Sequence, residues 1–170
     1  MVGASRAESA LTTGGAGERS VARFSSQVDD DLRAAGWKPG RDVDVSGWRR
    51  RLEAGGVVRM HPAAARFLAE FGGLKVEIVG PGVSVARQPF ELDPDLADGE
   101  EDRFAEWGAE MGCSLFPIGI LDRGRFFLGI SEVGEIFLVE TWVASFGIGD
   151  TALENLILGV MPRERGATGP

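Results

Sequence analysis

The chain predicts an α+β domain with a mainly antiparallel or mixed sheet covered by helices on one face. Apolar residues recur at helical spacing three times before residue 72. The pattern changes to period two at Leu74-Lys75-Val76-Glu77-Ile78, and from Leu115 onward short apolar runs alternate with turn sequences.

The first helix is expected to start at Ser25 or Ser26, with Asp29, Asp30 and Asp31 in its electropositive first turn and Val28, Leu32 and Ala35 on one face. Gly36 stops it. The second runs from Ser46, buries Trp48 and Leu52 at i and i+4, and ends at Gly55-Gly56. The third opens at Pro62, whose fixed φ suits the first helical position, and carries Ala64, Phe67, Leu68 and Phe71 as its apolar stripe. Residues 74–78 then read as a strand that turns at Gly80-Pro81-Gly82 and pairs with Val83 to Arg87. Phe104, Trp107 and Met111, at i, i+3 and i+7, mark a fourth helix. Strands are expected over Leu115 to Leu121, Arg125 to Ile130, Glu135 to Val139 and Thr141 to Phe146, before a last helix from Asp150 or Thr151 that buries Leu153, Leu156 and Ile157. Residues 1–20 and 162–170 are rich in Gly, Ala, Ser, Thr or charge without apolar periodicity, so a single domain over 21–161 is expected between two flexible tails.

With 170 residues and 44% hydrophobic composition, the domain buries enough surface to fold without metal or disulfides. There is one cysteine, Cys113, and one histidine, His61, so no Cys/His zinc pattern and no intrachain bridge can form. No cofactor, no metal and no enzymatic activity are expected. No apolar run is long enough to span a bilayer and no signal-peptide pattern opens the chain, so a cytoplasmic protein is expected.

Several short patterns match a motif in part. Gly147-Ile148-Gly149-Asp150-Thr151-Ala152 fits the dinucleotide fingerprint, but no acid follows about 20 residues on to hold a ribose. It reads as a turn before a helix. Asp93 to Gly99 resembles a calcium loop with its third acid misplaced and Pro94 intruding. His61 reads as a helix-start residue rather than a base, and Cys113 as a small buried hydrophobe rather than a nucleophile. Arg49-Arg50-Arg51 points around a helix and reads as a solvated face, and each tryptophan reads first as core.

The net charge of −8 argues against direct nucleic-acid binding. That charge is local: from Gln88 to Glu110 nine acids stand against Arg103, so this segment alone carries −8. A helix dipole accounts for some of these acids, and the surplus suggests an electronegative surface that steers a basic protein partner. The candidate contact residues are Asp93, Asp95, Asp98, Glu100, Glu101, Asp102 and Glu106.

In order along the chain, His61-Pro62 with Phe67-Leu68-Ala69-Glu70-Phe71-Gly72-Gly73-Leu74, Leu115-Phe116-Pro117-Ile118-Gly119, the Phe127 to Val139 hairpin and Gly149-Asp150-Thr151 resemble the SUKH superfamily, which includes the Knr-type and Syd proteins. Arg23-Phe24-Ser25, Ala35-Gly36-Trp37 and Pro39-Gly40-Arg41 resemble its third bacterial immunity subgroup. The resemblance covers about Arg23 to Gly159. It implies a SUKH (Knr-like) fold and a cytoplasmic immunity protein of a bacterial polymorphic toxin system. Such a protein binds and neutralises a cognate toxin domain, for instance a nuclease or nucleic-acid deaminase. It transfers no catalytic residue. A general interaction or regulatory scaffold of the Knr-like type is the alternative.

Overall fold

The computed structural model describes residues 21–166, so the tail expected over 1–20 and the last four residues lie outside the described residues. Three helices come first: α1 (Ser26–Ala34), α2 (Ser46–Glu53) and α3 (Pro62–Phe71). Strands β1 (Lys75–Val76) and β2 (Phe90–Glu91) follow, then a 3-10 turn (Pro94–Ala97) and α4 (Glu101–Met111). The rest is β3 (Leu115–Leu121), β4 (Phe126–Ser131), β5 (Glu135–Val139), β6 (Val143–Ile148), α5 (Gly149–Leu158) and β7 (Arg163–Arg165). The seven strands form one antiparallel sheet whose spatial order is the order of the sequence. The expected α+β class with an antiparallel sheet is the observed one.

The central hairpins follow from local chemistry. At the β3–β4 turn Asp122 and Arg123 both take positive φ, 52° and 56°, and Arg125 N–H donates to the Asp122 carbonyl at 3.1 Å. A short polar side chain and the adjacent Gly124 ease that left-handed path. Antiparallel partners share a face, so Phe127, Gly129 and Val139 point to one side while Leu128, Ile130 and Ile136 point to the other. Ala63, Phe67 and Phe71 of α3 and Leu153 of α5 line one cleft with Ile130 and Ile136. Helix α4 lies on the opposite face, where the Phe104 ring stands 6.3 Å from Phe127, edge to face. A Cβ on Gly129 would come within 2.9 Å of that Phe104 ring, so the absence of a side chain there lets α4 seat closely. Helices thus cover both faces where one face was expected, because an amphipathic stripe reports burial without choosing the side of the sheet.

Two other expectations are corrected. Lys75–Val76 pairs with Phe90–Glu91, and residues 83–87 form no strand. That loop turns to the end of α5: Val83 N–H donates to Leu158 O and Ser84 N–H to Gly159 O, both at 2.9 Å, while Arg87 Nε donates to Ile157 O, also at 2.9 Å. The unpaired carbonyls of a helix terminus have claimed the segment. At the carboxy-terminal end, Arg163–Arg165 pairs with Val143–Ser145 as a seventh strand in place of the flexible tail expected from 162. The open edge of β6 supplies the backbone partners, and Arg165 reaches Glu135 at 2.6 Å.

The α1–α3 side is sealed by an aromatic cluster. Trp37 stacks on Phe71 with centroids 6.3 Å apart and meets Phe24 edge-on at 5.6 Å. Arg23 pairs with both Glu70 and Asp150, joining the amino-terminal strap to α3 and α5. Carboxylates on both sides hold its guanidinium charged, Asp150 most strongly. Phe71 is buried, whereas Phe67, expected to be its equal, is half-buried. Among the tryptophans Trp37 is core, Trp48 and Trp107 are half-buried, and Trp142 is exposed.

Candidate functional site: the α4 surface

Phe104, Trp107 and Met111 turn one side of α4 to the sheet. Trp107 Nε1–H also donates to the Glu140 carbonyl at 3.0 Å, pinning the helix to the end of β5. Asp102, Glu106 and Glu110, at i, i+4 and i+8, therefore share the outer side. Together with Glu100 and Glu140 they line a shallow groove between α4 and the β5–β6 turn. Arg103 is the cation in its lining: it forms ion pairs with Glu100 at 2.8 Å and Glu140 at 3.2 Å and lies over the Phe127 ring at 5.6 Å. Asp102, Glu106 and Glu110 form no ion pair among the described residues, and all three are exposed.

The seven acids selected from the sequence do not form one surface. Asp93 caps the 3-10 turn, accepting from Asp95 N–H at 3.0 Å and from Trp48 Nε1–H at 3.1 Å. Asp95 takes a two-point contact from Arg51, at 2.9 and 2.6 Å. Glu100 is held by Arg103. Asp98 is exposed beyond the 3-10 turn and Glu101 is partly covered in the first turn of α4. Asp102 and Glu106 alone among the seven line the groove without an ion pair among the described residues. Glu110 and Glu140 complete it. Glu110 belongs to the acidic segment, but Glu140 sits 30 residues beyond its end and only the fold brings it there.

His61, Asp150, Asp93 and Asp95 serve the fold. His61 is the N-cap of α3: its Nδ1 accepts from Ala64 N–H at 3.1 Å, and its Nε2 lies 3.1 Å from the Ile130 carbonyl. Both ring nitrogens are thus engaged by backbone groups, of α3 and of β4. Asp150, inside the fingerprint-like Gly147 to Ala152 turn, is engaged by Arg23. In the calcium-loop-like stretch Asp93 and Asp95 are spent on Trp48, Arg51 and an amide, while Asp98 is exposed. Among the described residues no three His, Cys, Asp or Glu side chains are grouped to hold a metal, and no helix is long and apolar enough to cross a membrane. Half-buried Cys113 faces a cleft with Glu132 and Glu135, and burial first, then those carboxylates, push its thiol above the usual range.

No curated protein and no solved structure matches the sequence. A family model does, over residues 24–159, from the buried Phe24 of the amino-terminal strap to Gly159, the left-handed residue that ends α5. That span holds all five helices, the α4 groove and six of the seven strands. The chain belongs to the SUKH-3 immunity protein family.

Proposed function

We propose that this chain is the immunity protein of a bacterial polymorphic toxin system, acting in the cytoplasm by binding a cognate toxin domain and performing no chemistry of its own. The observation that carries the mode of action is the α4 ridge: three exposed carboxylates in a row that form no ion pair among the described residues, on a helix anchored by Phe104 and Trp107. Charges placed this way raise the encounter rate with a basic surface and disfavour wrong partners. A nuclease or nucleic-acid deaminase offers such a surface, because its site must hold phosphates. An acidic protein on that site competes with the nucleic acid for it.

The test is co-expression with a candidate toxin domain encoded near this gene, scored by growth, together with association kinetics at two salt concentrations. Rescue and an association rate that falls with salt are expected. The Asp102→Asn, Glu106→Gln, Glu110→Gln variant should associate about tenfold more slowly, since exposed charges act mainly on encounter. No rescue and no binding would leave a general interaction scaffold as the better reading.

A further inference from the structure

A cleft of about 300 Å³ opens between the end of α4 and the β4–β5 turn. Met111, Cys113, Val133 and Phe137 give it apolar surface, and Glu110, Glu132 and Glu135 give it carboxylates. Glu110 also lines the α4 groove, so the two depressions adjoin.

The carboxylates are unequally served. Glu135 takes the Arg165 guanidinium and the Ser145 hydroxyl, each at 2.6 Å. Glu132 accepts the Ser114 N–H at 2.8 Å and forms no ion pair among the described residues, and Glu110 forms none either. Negative charge beside uncovered apolar surface suits a long basic side chain, whose methylenes lie on the apolar part while its head meets the carboxylate. Guanidinium fits better than ammonium because it is planar, weakly hydrated and able to bond two oxygens at once. The chain holds an example: Arg165, from β7, already places a guanidinium on the Glu135 side of this cleft.

We propose that this cleft receives an arginine side chain of a basic partner protein, its stem against Val133 and Met111 and its guanidinium at the Glu132 and Glu110 carboxylates. This rests on the toxin-binding reading above and locates the contact beyond the α4 ridge. Val133 is 64% exposed at its turn, so it is open to a partner and carries little of the core.

The experiment uses the full chain and the candidate toxin domain of the growth test. Cys113 lines the cleft and is the sole thiol of this chain, so its alkylation by iodoacetamide, followed by the intact mass of the chain, reports occupancy. Alkylation at least tenfold slower in the complex is expected. Two variants should each weaken Kd about tenfold at an unchanged melting midpoint. Glu132→Gln removes the charge but keeps an acceptor for Ser114, and Val133→Arg places the chain's own guanidinium in the cleft. If the complex forms while Cys113 reacts at its free rate and both variants bind within twofold of the parent, the cleft proposal falls and toxin binding stands. If the parent chain neither binds nor protects against the toxin, both fall.

Discussion

Between Asp93 and Asp95 the carboxylates of the acidic segment hold the chain to itself, to Trp48, Arg51 and a backbone amide, whereas Asp102, Glu106 and Glu110 face solvent and form no ion pair among the described residues. The two stretches are alike as sequence. Their difference comes from what packs opposite each: α2 lies against the 3-10 turn and supplies cationic and N–H partners, while the outer side of α4 has nothing over it. Charge density along a chain marks where an electronegative surface can arise, and tertiary neighbours decide which charges remain free to form it.

The strongest way to break this contrast is to unseat α4. Phe104 is fully buried, and Phe104→Ala should cost about 3–5 kcal/mol in denaturant melts. A loss below about 1 kcal/mol would mean that the ridge has no fixed platform. Phe71→Ala should cost a similar amount and Phe67→Ala distinctly less, following their burial. Asp93→Ala should come next, at about 1–3 kcal/mol, because it leaves Trp48 Nε1–H and Asp95 N–H without their acceptor. Asp95→Asn should cost no more than about 1 kcal/mol, since its pair with Arg51 is largely exposed. The triple ridge variant should change stability by less than about 0.5 kcal/mol. A larger loss there would erase the distinction between structural and free acids.

The smallest effect concerns the seat of α2. Asp44 accepts from the Ser46 N–H and hydroxyl, each at 2.9 Å, which holds its carboxyl below the usual carboxylate range. A lowered folded value stabilises above the unfolded one and loses that contribution as pH falls through the folded one. The parent chain should therefore melt slightly above Asp44→Asn at about pH 6, where the carboxyl is ionised in both states, and converge with it as the pH falls through the lowered folded value. A gap that persists in acid would assign the difference to something other than this carboxylate.

Much of the architecture was legible in the sequence because its signals are local. Pro62 behind His61, glycines after the helices, and Asp122-Arg123-Gly124 act within a few residues, so helix limits and the β3–β6 hairpins fall close to expectation. The failures lie where a distant group competes. Gly80-Pro81-Gly82 does turn the chain, yet the carbonyls at the end of α5 outbid a hairpin partner for residues 83–85. The site divides the same way. An excess of acids was visible, but Arg51 pairs with Asp95 across 44 residues and Glu140 reaches the groove from another strand turn, and neither follows from spacing.

The sequential strand order also shapes how the chain reaches its native state. Each main hairpin from β3 to β6 closes a loop of only a few residues, so pairing can spread by steps of low entropic cost. The salt bridge between Arg23 and Asp150 is different: it closes a separation of 127 residues. That join requires α5 to be already formed on the sheet, because Asp150 lies in its first turn. During synthesis Arg23 can already meet Glu70 of α3, but its second partner must wait until the carboxy-terminal helix emerges. The ridge on α4 and the sheet beneath it can be in place before that clasp shuts.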